Sequence, residues 1–234
     1  MSDTVIYPVD RLDLAFTPQP WAFAVARRAE IDAYFAEQQR AKPALWNGRV
    51  LLMHRHVLSG GVLRGDYLET DFASFAAWRA WGRPDAGVHD CFAAAAVRAA
   101  DGAFIVGVMG THTFNAGQIY FPCGTPDRSD IAGRTVDLDA SARRELAEET
   151  GLAAAGFAAE PGWTMVVDGV LMALIKVFQA SEGGEALRAS VLDRLAREAR
   201  PEFSDIRIVR GPGDFDPAMP RFVTAFLAER WRAG

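Results

Sequence analysis

The sequence predicts an α/β protein whose main domain follows a smaller α+β unit. Short runs rich in Val, Ile, Leu and aromatic residues alternate with stretches whose apolar residues recur at helical spacing. A change of composition at residues 82–87, GRPDAG, separates the two units. The 234 residues are 50% apolar and 24% charged, which is typical of a folded domain with a substantial core. We therefore place an N-terminal extension at 1–87 and the main domain at 88–234.

The N-terminal extension is predicted to contain an extended start, a helix, a strand pair and a short helix. Prolines disfavour a helix before about residue 20, and apolar spacing predicts one over 21–42. Two runs rich in Val, Leu and Tyr, punctuated by Asn47-Gly48 and Gly60-Gly61, predict the strand pair. Aromatic residues at every third position of 72–81 predict a short helix that packs into the core.

The main domain is predicted to begin with two strands joined by a turn at Asp101-Gly102, although the Ala-rich first arm leaves a helix open. A strand at 118–124 then leads into a Pro-Gly turn and a polar loop. A helix follows over about 139–150, with Asp137 or Asp139 as its N-cap and Gly151 at its end. The remaining predicted elements are strands at 153–160, 163–168 and 170–178, a helix at 186–199, a strand at 202–209 and a helix at 217–232.

The predicted helix at 139–150 carries a concentration of acids. Glu145, Glu148 and Glu149 lie at offsets 0, 3 and 4, so they project from one side of the helix. Like charges at this spacing destabilise a helix by a few tenths of a kcal/mol per pair, on the order of 0.2–0.5, unless a cation neutralises them. The cluster is therefore a candidate site for a hard metal ion.

An alternative interpretation of these acids is an ordinary solvated helix face, because Glu is a good helix former and common on surfaces. Ala142, Leu146 and Thr150 lie toward one face and are expected to pack. The acids face elsewhere, so they need not be buried. The motif match that follows favours metal binding over the solvated face.

The run from Arg144 to Leu152, RELAEETGL, matches the second half of the Nudix box, G-x5-E-x7-R-E-U-x-E-E-x-G-U, at every specified position. The chain thus resembles the Nudix hydrolase superfamily. This resemblance implies an α/β/α sandwich with a mixed sheet, in which the box follows a strand and a Pro-Gly turn like that of YFPCG. The stretches LWNG, GDYLETDF and GTPDRSD are similar to the UDP-sugar diphosphatase branch, in which a comparable extension precedes the domain.

The first half of the box departs from the family pattern. Counting back from Arg144 places Val136 where the family has its leading Glu, with Asp137 one residue away. Gly124 and Val136 are twelve positions apart, where the pattern has six, and Cys123 replaces a glycine of the turn. We therefore expect an insertion in this loop and the loss or relocation of an outer metal ligand.

The resemblance implies a role for each residue of the intact half. Glu148 and Glu149 would bind Mg²⁺, with Mn²⁺ as the alternative cation, and Glu145 would bind metal or act as general base on the attacking water. Arg144 would pair with Glu148 and orient it. Family members often draw one more acid from a downstream loop, for which Glu202 is the candidate. The predicted catalytic residues are Arg144, Glu145 and Glu149; the predicted metal ligands are Glu145, Glu148, Glu149 and Glu202, with Glu182, Glu185 and Glu198 as alternatives to the last.

These implications define the expected function. It is a Mg²⁺-dependent diphosphate (pyrophosphate) hydrolase in which water attacks one phosphorus of a nucleoside diphosphate linked to another moiety, with a UDP-sugar as the first guess. The alternative keeps the fold but makes the protein a catalytically weak sensor of a nucleotide or sugar nucleotide, which the altered first half of the box would favour. The arginines that could counter the phosphates are Arg83, Arg98, Arg128 and Arg134.

Composition restricts the partners. The formal net charge of −5 and the pI of about 5.4 provide no basic field for nucleic acid or an anionic membrane. The two cysteines, Cys91 and Cys123, are too few for a disulfide framework and lack metal-site spacing, which favours a reducing compartment. The sequence has no pattern of a signal peptide or membrane span. We expect a cytoplasmic protein with a small-molecule substrate, and we leave a homodimer open.

Overall fold

The computed structural model describes residues 4–232, which form two mixed β-sheets and six α-helices. The strands are β1 (Val5–Val9), β2 (Arg11–Phe16), β3 (Arg49–Ser59), β4 (Val62–Asp71), β5 (Asp90–Arg98), β6 (Phe104–Met109), β7 (Ile119–Tyr120), β8 (Cys123–Gly124), β9 (Ile131–Ala132), β10 (Thr135–Val136), β11 (Ala158–Ala159), β12 (Trp163–Asp168), β13 (Leu171–Gln179) and β14 (Phe203–Val209). The helices are α1 (Ala22–Ala26), α2 (Arg28–Ala41), α3 (Phe72–Ala80), α4 (Leu138–Thr150), α5 (Gly184–Leu195) and α6 (Arg221–Arg232). Within the described part of the chain, no helix has the length and apolar character needed to cross a bilayer.

The larger sheet has the order β1-β12-β13-β5-β6-β14, with β7, β8 and β11 paired at its margins. Its centre is the parallel pair of β13 with β5, aligned from Leu171 opposite Asp90 to Gln179 opposite Arg98. Both strands are buried along nearly their whole length, as parallel strands covered on both faces are. The Ala-rich arm left open as a helix is therefore a strand, because tertiary burial overrides the helix propensity of alanine.

Helices cover both faces of this sheet. Phe92 of β5 packs edge-to-face on Phe222 of α6, with ring centroids 5.5 Å apart. Phe178 of β13 lies 5.2 Å from the guanidinium of Arg143 in α4 and is aligned with Val97. Phe92 and Val97 are an odd number of residues apart on one strand, so they point to opposite faces. Because α4 and α6 thus lie on opposite sides, the predicted α/β/α sandwich with a mixed sheet is confirmed.

The smaller sheet, β3-β4-β2-β10-β9, belongs mainly to the N-terminal extension. The predicted strand pair is the hairpin of β3 and β4, whose turn residues Gly60 and Gly61 have φ of 57° and 73°. Helix α3 begins at its N-cap Asp71, whose carboxylate accepts a hydrogen bond from Ser74 N at 2.9 Å. Its aromatic residues Phe75 and Trp78 are fully buried in a core separate from that of the larger sheet, as the sequence predicts.

Two strand pairings join the extension to the main domain. Strand β1 adds to the edge of the larger sheet through β12, and β2 pairs with β10 through Ala15 and Thr135. Residues on either side of position 87 therefore contribute to both sheets. The boundary at 87 stays a prediction, and residues 1–3 and 233–234 lie outside the described residues.

Several local predictions differ from the structure. The strand predicted at 118–124 is divided into β7 and β8, which pair with β6 and β5, and the helix predicted over 217–232 begins at Arg221. The helix predicted over 21–42 is divided at Arg27, whose φ of −110° and ψ of 21° leave helical geometry. The strand predicted at 153–160 is a 3₁₀ turn followed by the two-residue β11, because only its last residues reach β13 for hydrogen bonding. The helix predicted to reach 199 ends at Leu195. The polar loop after the Pro-Gly turn contains the hairpin β9-β10, whose backbone finds a partner in β2.

Candidate active site

Helix α4 presents the acids on a well-capped scaffold. The side chain of Asp137 accepts hydrogen bonds from the backbone N–H groups of Asp139 and Ala140 at 3.1 and 3.0 Å. Gly151 ends the helix with a φ of 73°, the left-handed conformation that glycine adopts without strain. The predicted helix is confirmed, and of the two proposed N-caps Asp137 is the one used. The acid nearest the missing leading Glu of the box therefore holds the end of the helix.

Two of the three acids of α4 are buried, although the packing face predicted from the sequence does not require it. Glu145 and Glu149 are only 8% and 4% exposed, whereas the Glu148 side chain is 61% exposed. Strand β8 crosses the helix and covers them: Cys123 N donates to Glu149 Oε2 at 3.2 Å. Gly124 lies so close that an added β-carbon would be 2.5 Å from Glu145 Oε1. The glycine of the turn is thus needed for close approach to an acid.

Arg144 connects several acids. Its guanidinium contacts Glu145 Oε1 at 2.7 Å and Glu148 Oε2 at 3.1 Å, so the expected pairing with Glu148 is present. It also donates to both carboxylate oxygens of Asp130, at 3.0 and 3.2 Å. Burial alone would lower the pKa of Arg144, but the charge of Glu145 and the hydrogen bonds and charge of Asp130 raise it above its ordinary value.

Asp130 is a site residue that the sequence reasoning missed. It lies in the inserted loop, is 4% exposed, and is held by a hydrogen bond from Asp127 N at 3.0 Å. Asp127 and Asp130 form a capping box around a 3₁₀ turn, a pattern that the D-x-x-D spacing of the loop could have indicated. The insertion therefore supplies a buried carboxylate to the arginine of the box.

Glu202, predicted from the sequence as the additional acid, lies close enough to α4 for its charge to raise the pKa values of Glu145 and Glu149. It precedes β14, and its carbonyl accepts a hydrogen bond from Gly110 N at 2.8 Å. The residue as a whole is exposed, yet partial burial of its carboxyl, with the charge of Glu148, raises its pKa. The alternative acids have other partners: Glu182 accepts from Ser181, Glu185 pairs with Arg210, and Glu198 pairs with Arg194.

Burial and mutual repulsion dominate the titration of the acids on α4. Burial raises the pKa of Glu145 to about 7, against the nearby charge of Arg144, and the charges of Glu148 and Glu202 add to the rise. Burial raises the pKa of Glu149 well above its ordinary value, and the charges of Glu202 and Glu145 contribute. The acids thus lie close enough to disfavour one another's ionisation.

The donor chemistry of this cluster fits a hard divalent cation. As the side chains stand, no three His, Cys, Asp or Glu residues among residues 4–232 are arranged to hold a metal ion. The cluster nevertheless offers carboxylate oxygens, which Mg²⁺ and Mn²⁺ prefer, and their crowding favours any added positive charge. The ligand roles of Glu145, Glu148, Glu149 and Glu202 stay predictions.

Comparisons with known proteins give matches among solved structures only. No family model and no curated relative matches the sequence. Similar structures include a Nudix hydrolase from M. smegmatis, RenU, with 15% identity and a TM-score of 0.37 over 62% of this chain and 84% of that one. A MutT protein from Methanosarcina mazei Go1 has 17% identity and a TM-score of 0.40 over 62% and 94% of the two chains.

A third similar structure is the NUDIX domain of Shewanella oneidensis NrtR, solved with ADP ribose. Its identity is 17% and its TM-score 0.40, over 68% of this chain and 96% of that one. The names of the M. smegmatis and Shewanella oneidensis proteins include that of the family that residues 144–152 resemble. At these identities and TM-scores, the likenesses carry no weight for the substrate or the reaction.

Proposed function

We propose that the chain is a Nudix-type hydrolase that cleaves the diphosphate linkage of a nucleoside diphosphate derivative. The observation that carries this proposal is an acid cluster on the segment that matches the intact half of the Nudix box: Arg144 contacts Glu145 and Glu148. Glu149 and Glu202 interact electrostatically with these acids. These acids would hold Mg²⁺ or Mn²⁺. When bound, such a cation neutralises diphosphate oxygens and favours ionisation of water near neutral pH.

The residues of the chain have distinct tasks in this proposal. Glu145, beside Arg144 and shielded from solvent by β8, takes a proton from the attacking water as general base. Arg144 is fixed by Asp130 and holds Glu145 and Glu148 in place. The water oxygen forms a bond to one phosphorus, the bond from that phosphorus to the bridging oxygen breaks, and the bridging oxygen leaves with the other phosphate. The products are two monophosphates.

A second candidate function is a catalytically weak sensor of nucleotides or sugar nucleotides. It is favoured by the altered first half of the box, since the leading position is the apolar, buried Val136 and Asp137 serves as the N-cap of α4. The retained acids of α4 favour the hydrolase. A UDP-sugar remains the proposed substrate of first choice.

Incubation with a substrate panel separates the two functions. The purified protein is mixed with Mg²⁺ and UDP-glucose, ADP-ribose or dinucleoside polyphosphates, and products are followed by ³¹P NMR. The hydrolase proposal expects two monophosphates from at least one compound. Tight binding of a compound without product from any of them would reject the hydrolase and support the sensor.

Glu149→Gln provides the matched test of the site. The substitution keeps the size of the side chain and an oxygen that can accept from Cys123 N, but it removes the charge. We expect turnover to fall at least ~100-fold, because a charged group of the catalytic cluster is lost. Circular dichroism should be unchanged, and wild-type turnover in the folded variant would contradict the assignment of Glu149.

A further inference from the structure

A cavity of about 230 Å³ lies where the N-terminal extension meets the larger sheet. Helix α3 and the turn after it contribute Arg79 and Arg83, β5 contributes Asp90 and Phe92, and the start of α6 contributes Phe222. Strand β8 forms the wall toward the acids of α4. The acid cluster itself does not line this cavity, and the proposed reaction does not use its charged residues.

Two polar atoms at the cavity have no hydrogen-bond partner in the described part of the chain, although the charges of Arg79 and Arg83 act on Asp90. Asp90 is 4% exposed, and its Oδ1 has no hydrogen-bond partner among residues 4–232. The Nε of Arg83 is also buried without a partner in the same part of the chain. Buried polar groups in folded proteins are nearly always hydrogen-bonded, so two such groups of opposite charge at one cavity indicate a ligand that pairs with both.

Arg83 occupies its position at the expense of backbone strain. Its φ is +57°, and among the described residues no other non-glycine residue has a positive φ. A hydrogen bond from its own N–H to Trp78 O at 2.8 Å, together with its guanidinium 5.9 Å from the Trp78 ring, fixes it. Arginine has no conformational reason to occupy a glycine-like position after α3. Strain retained by a charged residue at a cavity points to a function of its side chain.

The chemistry of the walls restricts the ligand. Arg79 and Arg83 present planar guanidinium groups, which bind phosphate through paired N–H donors. The carboxylate of Asp90 accepts hydrogen bonds, as from a hydroxyl group. Phe92 and Phe222, in edge-to-face contact, add an apolar wall for the face of a ring. The volume is below the roughly 300–1,000 Å³ of drug-sized ligand sites, so one sugar fits better than a complete nucleoside diphosphate derivative.

We propose that this cavity binds the sugar phosphate part of the substrate, with Arg79 and Arg83 on the phosphate, Asp90 on a sugar hydroxyl, and Phe92 and Phe222 against the sugar ring. The assignment rests on the proposed hydrolase function. It places the sugar next to the acids, because Cys123 both lines the cavity and donates its N–H to Glu149. The N-terminal extension then determines which sugar is accepted.

Calorimetric titration of the full chain in EDTA tests binding without turnover. The probes are glucose 1-phosphate, ribose 5-phosphate, glucose and inorganic phosphate. We expect at least one sugar phosphate to bind more tightly than both glucose and inorganic phosphate, because only a sugar phosphate engages the arginines and Asp90 together. Sugar phosphates that bind no more tightly than inorganic phosphate would overturn the proposal.

Arg83→Gly is the decisive variant, because glycine accepts the positive φ that arginine adopts under strain. The variant should unfold at the same temperature as the wild type or higher, while its affinity for the sugar phosphate falls roughly tenfold or more. A purely structural role for Arg83 does not predict this combination. Asp90→Asn should weaken sugar phosphate binding to a similar extent and inorganic phosphate binding less.

Arg40→Met serves as the matched control, since Arg40 is an exposed arginine of α2 outside the cavity. It should bind every probe as the wild type does. Unchanged affinity in Arg83→Gly would reject the cavity, even if Asp90→Asn does not fold. Hydrolysis by the wild type with an unchanged KM in Arg83→Gly keeps the hydrolase and rejects the cavity. Cavity-dependent sugar phosphate binding without hydrolysis of any compound keeps the cavity and rejects the hydrolase.

Discussion

At the scale of single residues, the site depends on how Arg144 is held among carboxylates. Three of its acidic partners, Asp130, Glu145 and Glu148, come from the inserted loop and from its own helix. Removing one charged side chain from such a network leaves the charges of the remaining side chains incompletely neutralised. The arrangement therefore predicts that a residue without a place in the family motif affects the reaction.

Asp130→Asn should reduce turnover about 10- to 100-fold, the range observed when a residue that orients a metal-binding group is replaced. The amide keeps the shape of the side chain but loses the charge that pairs with Arg144. Kinetics across a Mg²⁺ titration measure the effect, and the Mg²⁺ concentration for half-maximal rate should also rise. Asp139→Asn is the control, because Asp139 pairs with Arg143 on the other side of α4; an equal loss in both variants would contradict the positioning role of Asp130.

The raised pKa of Glu145 predicts that the metal-free protein loses stability as pH increases. Between the ordinary value of 4.5 and about 7, the folded protein retains a proton on Glu145 that the unfolded chain has released. The unfolded state then binds fewer protons, so the free energy of unfolding falls as pH rises through this window, by about 3 kcal/mol for a shift of this size.

Urea unfolding in EDTA at pH 5, 6, 7 and 8 measures this dependence. Glu145→Gln should make the fall less steep, because the glutamine has no proton to lose, while Glu149 and Glu202, whose pKa values are also raised, keep part of it. Excess Mg²⁺ should restore stability above pH 6 in the wild type if the acids bind it, since ligand binding to the folded state stabilises it. A difference in stability between the wild type and Glu145→Gln that does not change from pH 5 to 7 would show that the folded Glu145 is ionised. The histidines with lowered pKa values raise stability over this range in both proteins alike, so the difference removes their effect.

At the scale of elements, α4 depends on its caps. Asp137→Ala should destabilise the protein by about 1 kcal/mol, the usual cost of losing an N-cap side chain. Asp137→Asn should restore stability, because asparagine caps as well as aspartate. Urea denaturation of both variants provides the measurement. If Asp137 were instead a relocated metal ligand, Asp137→Asn would fold normally but need more Mg²⁺ for activity.

Elements whose signals are local could be predicted from the sequence, and those that depend on distant partners could not. Helix α4 begins within one residue of its predicted start. Its signals are local, because the N-cap Asp137 directly precedes the helix and Gly151 directly follows it. The burial of Glu145 and Glu149 arises from β8, a segment more than twenty residues earlier in the chain. The hairpin β9-β10 likewise lacks long apolar strands and forms because β2 offers it an edge.

The candidate site also contains residues that local sequence signals predict and residues that only distant contacts bring together. Residues 144–149 could be placed from the motif and helical spacing, and Glu202 from its position before a strand. Asp130 escaped prediction because its role requires the inserted loop to fold back onto α4. Arg83 was one of four arginines that the sequence offered as phosphate partners, but Asp90 escaped because its proximity to Arg83 arises only when α3 packs beside the larger sheet. Contacts between distant segments carry no periodic signal in a single sequence.

At the scale of the whole molecule, strand pairing couples the extension to the main domain. Strand β1 is hydrogen-bonded to β12, and β2 to β10, so separating the two units would expose sheet edges in both. We expect one cooperative thermal transition with coincident midpoints by far-ultraviolet circular dichroism and tryptophan fluorescence. Most tryptophans belong to the extension, whereas the larger sheet dominates the β signal. Two separated midpoints would mean that the units unfold independently.

The loop between Gly124 and Val136 sets a limit on redesign. It is longer than the box pattern requires, but its β10 pairs with β2, Pro126 O accepts from Leu51 N at 2.7 Å, and Asp130 holds Arg144. Trimming it to the spacing of the pattern would break the pairing of β10 with β2 and release the arginine in one step. Grafts that exchange this loop should therefore exchange residues 4–87 together with it.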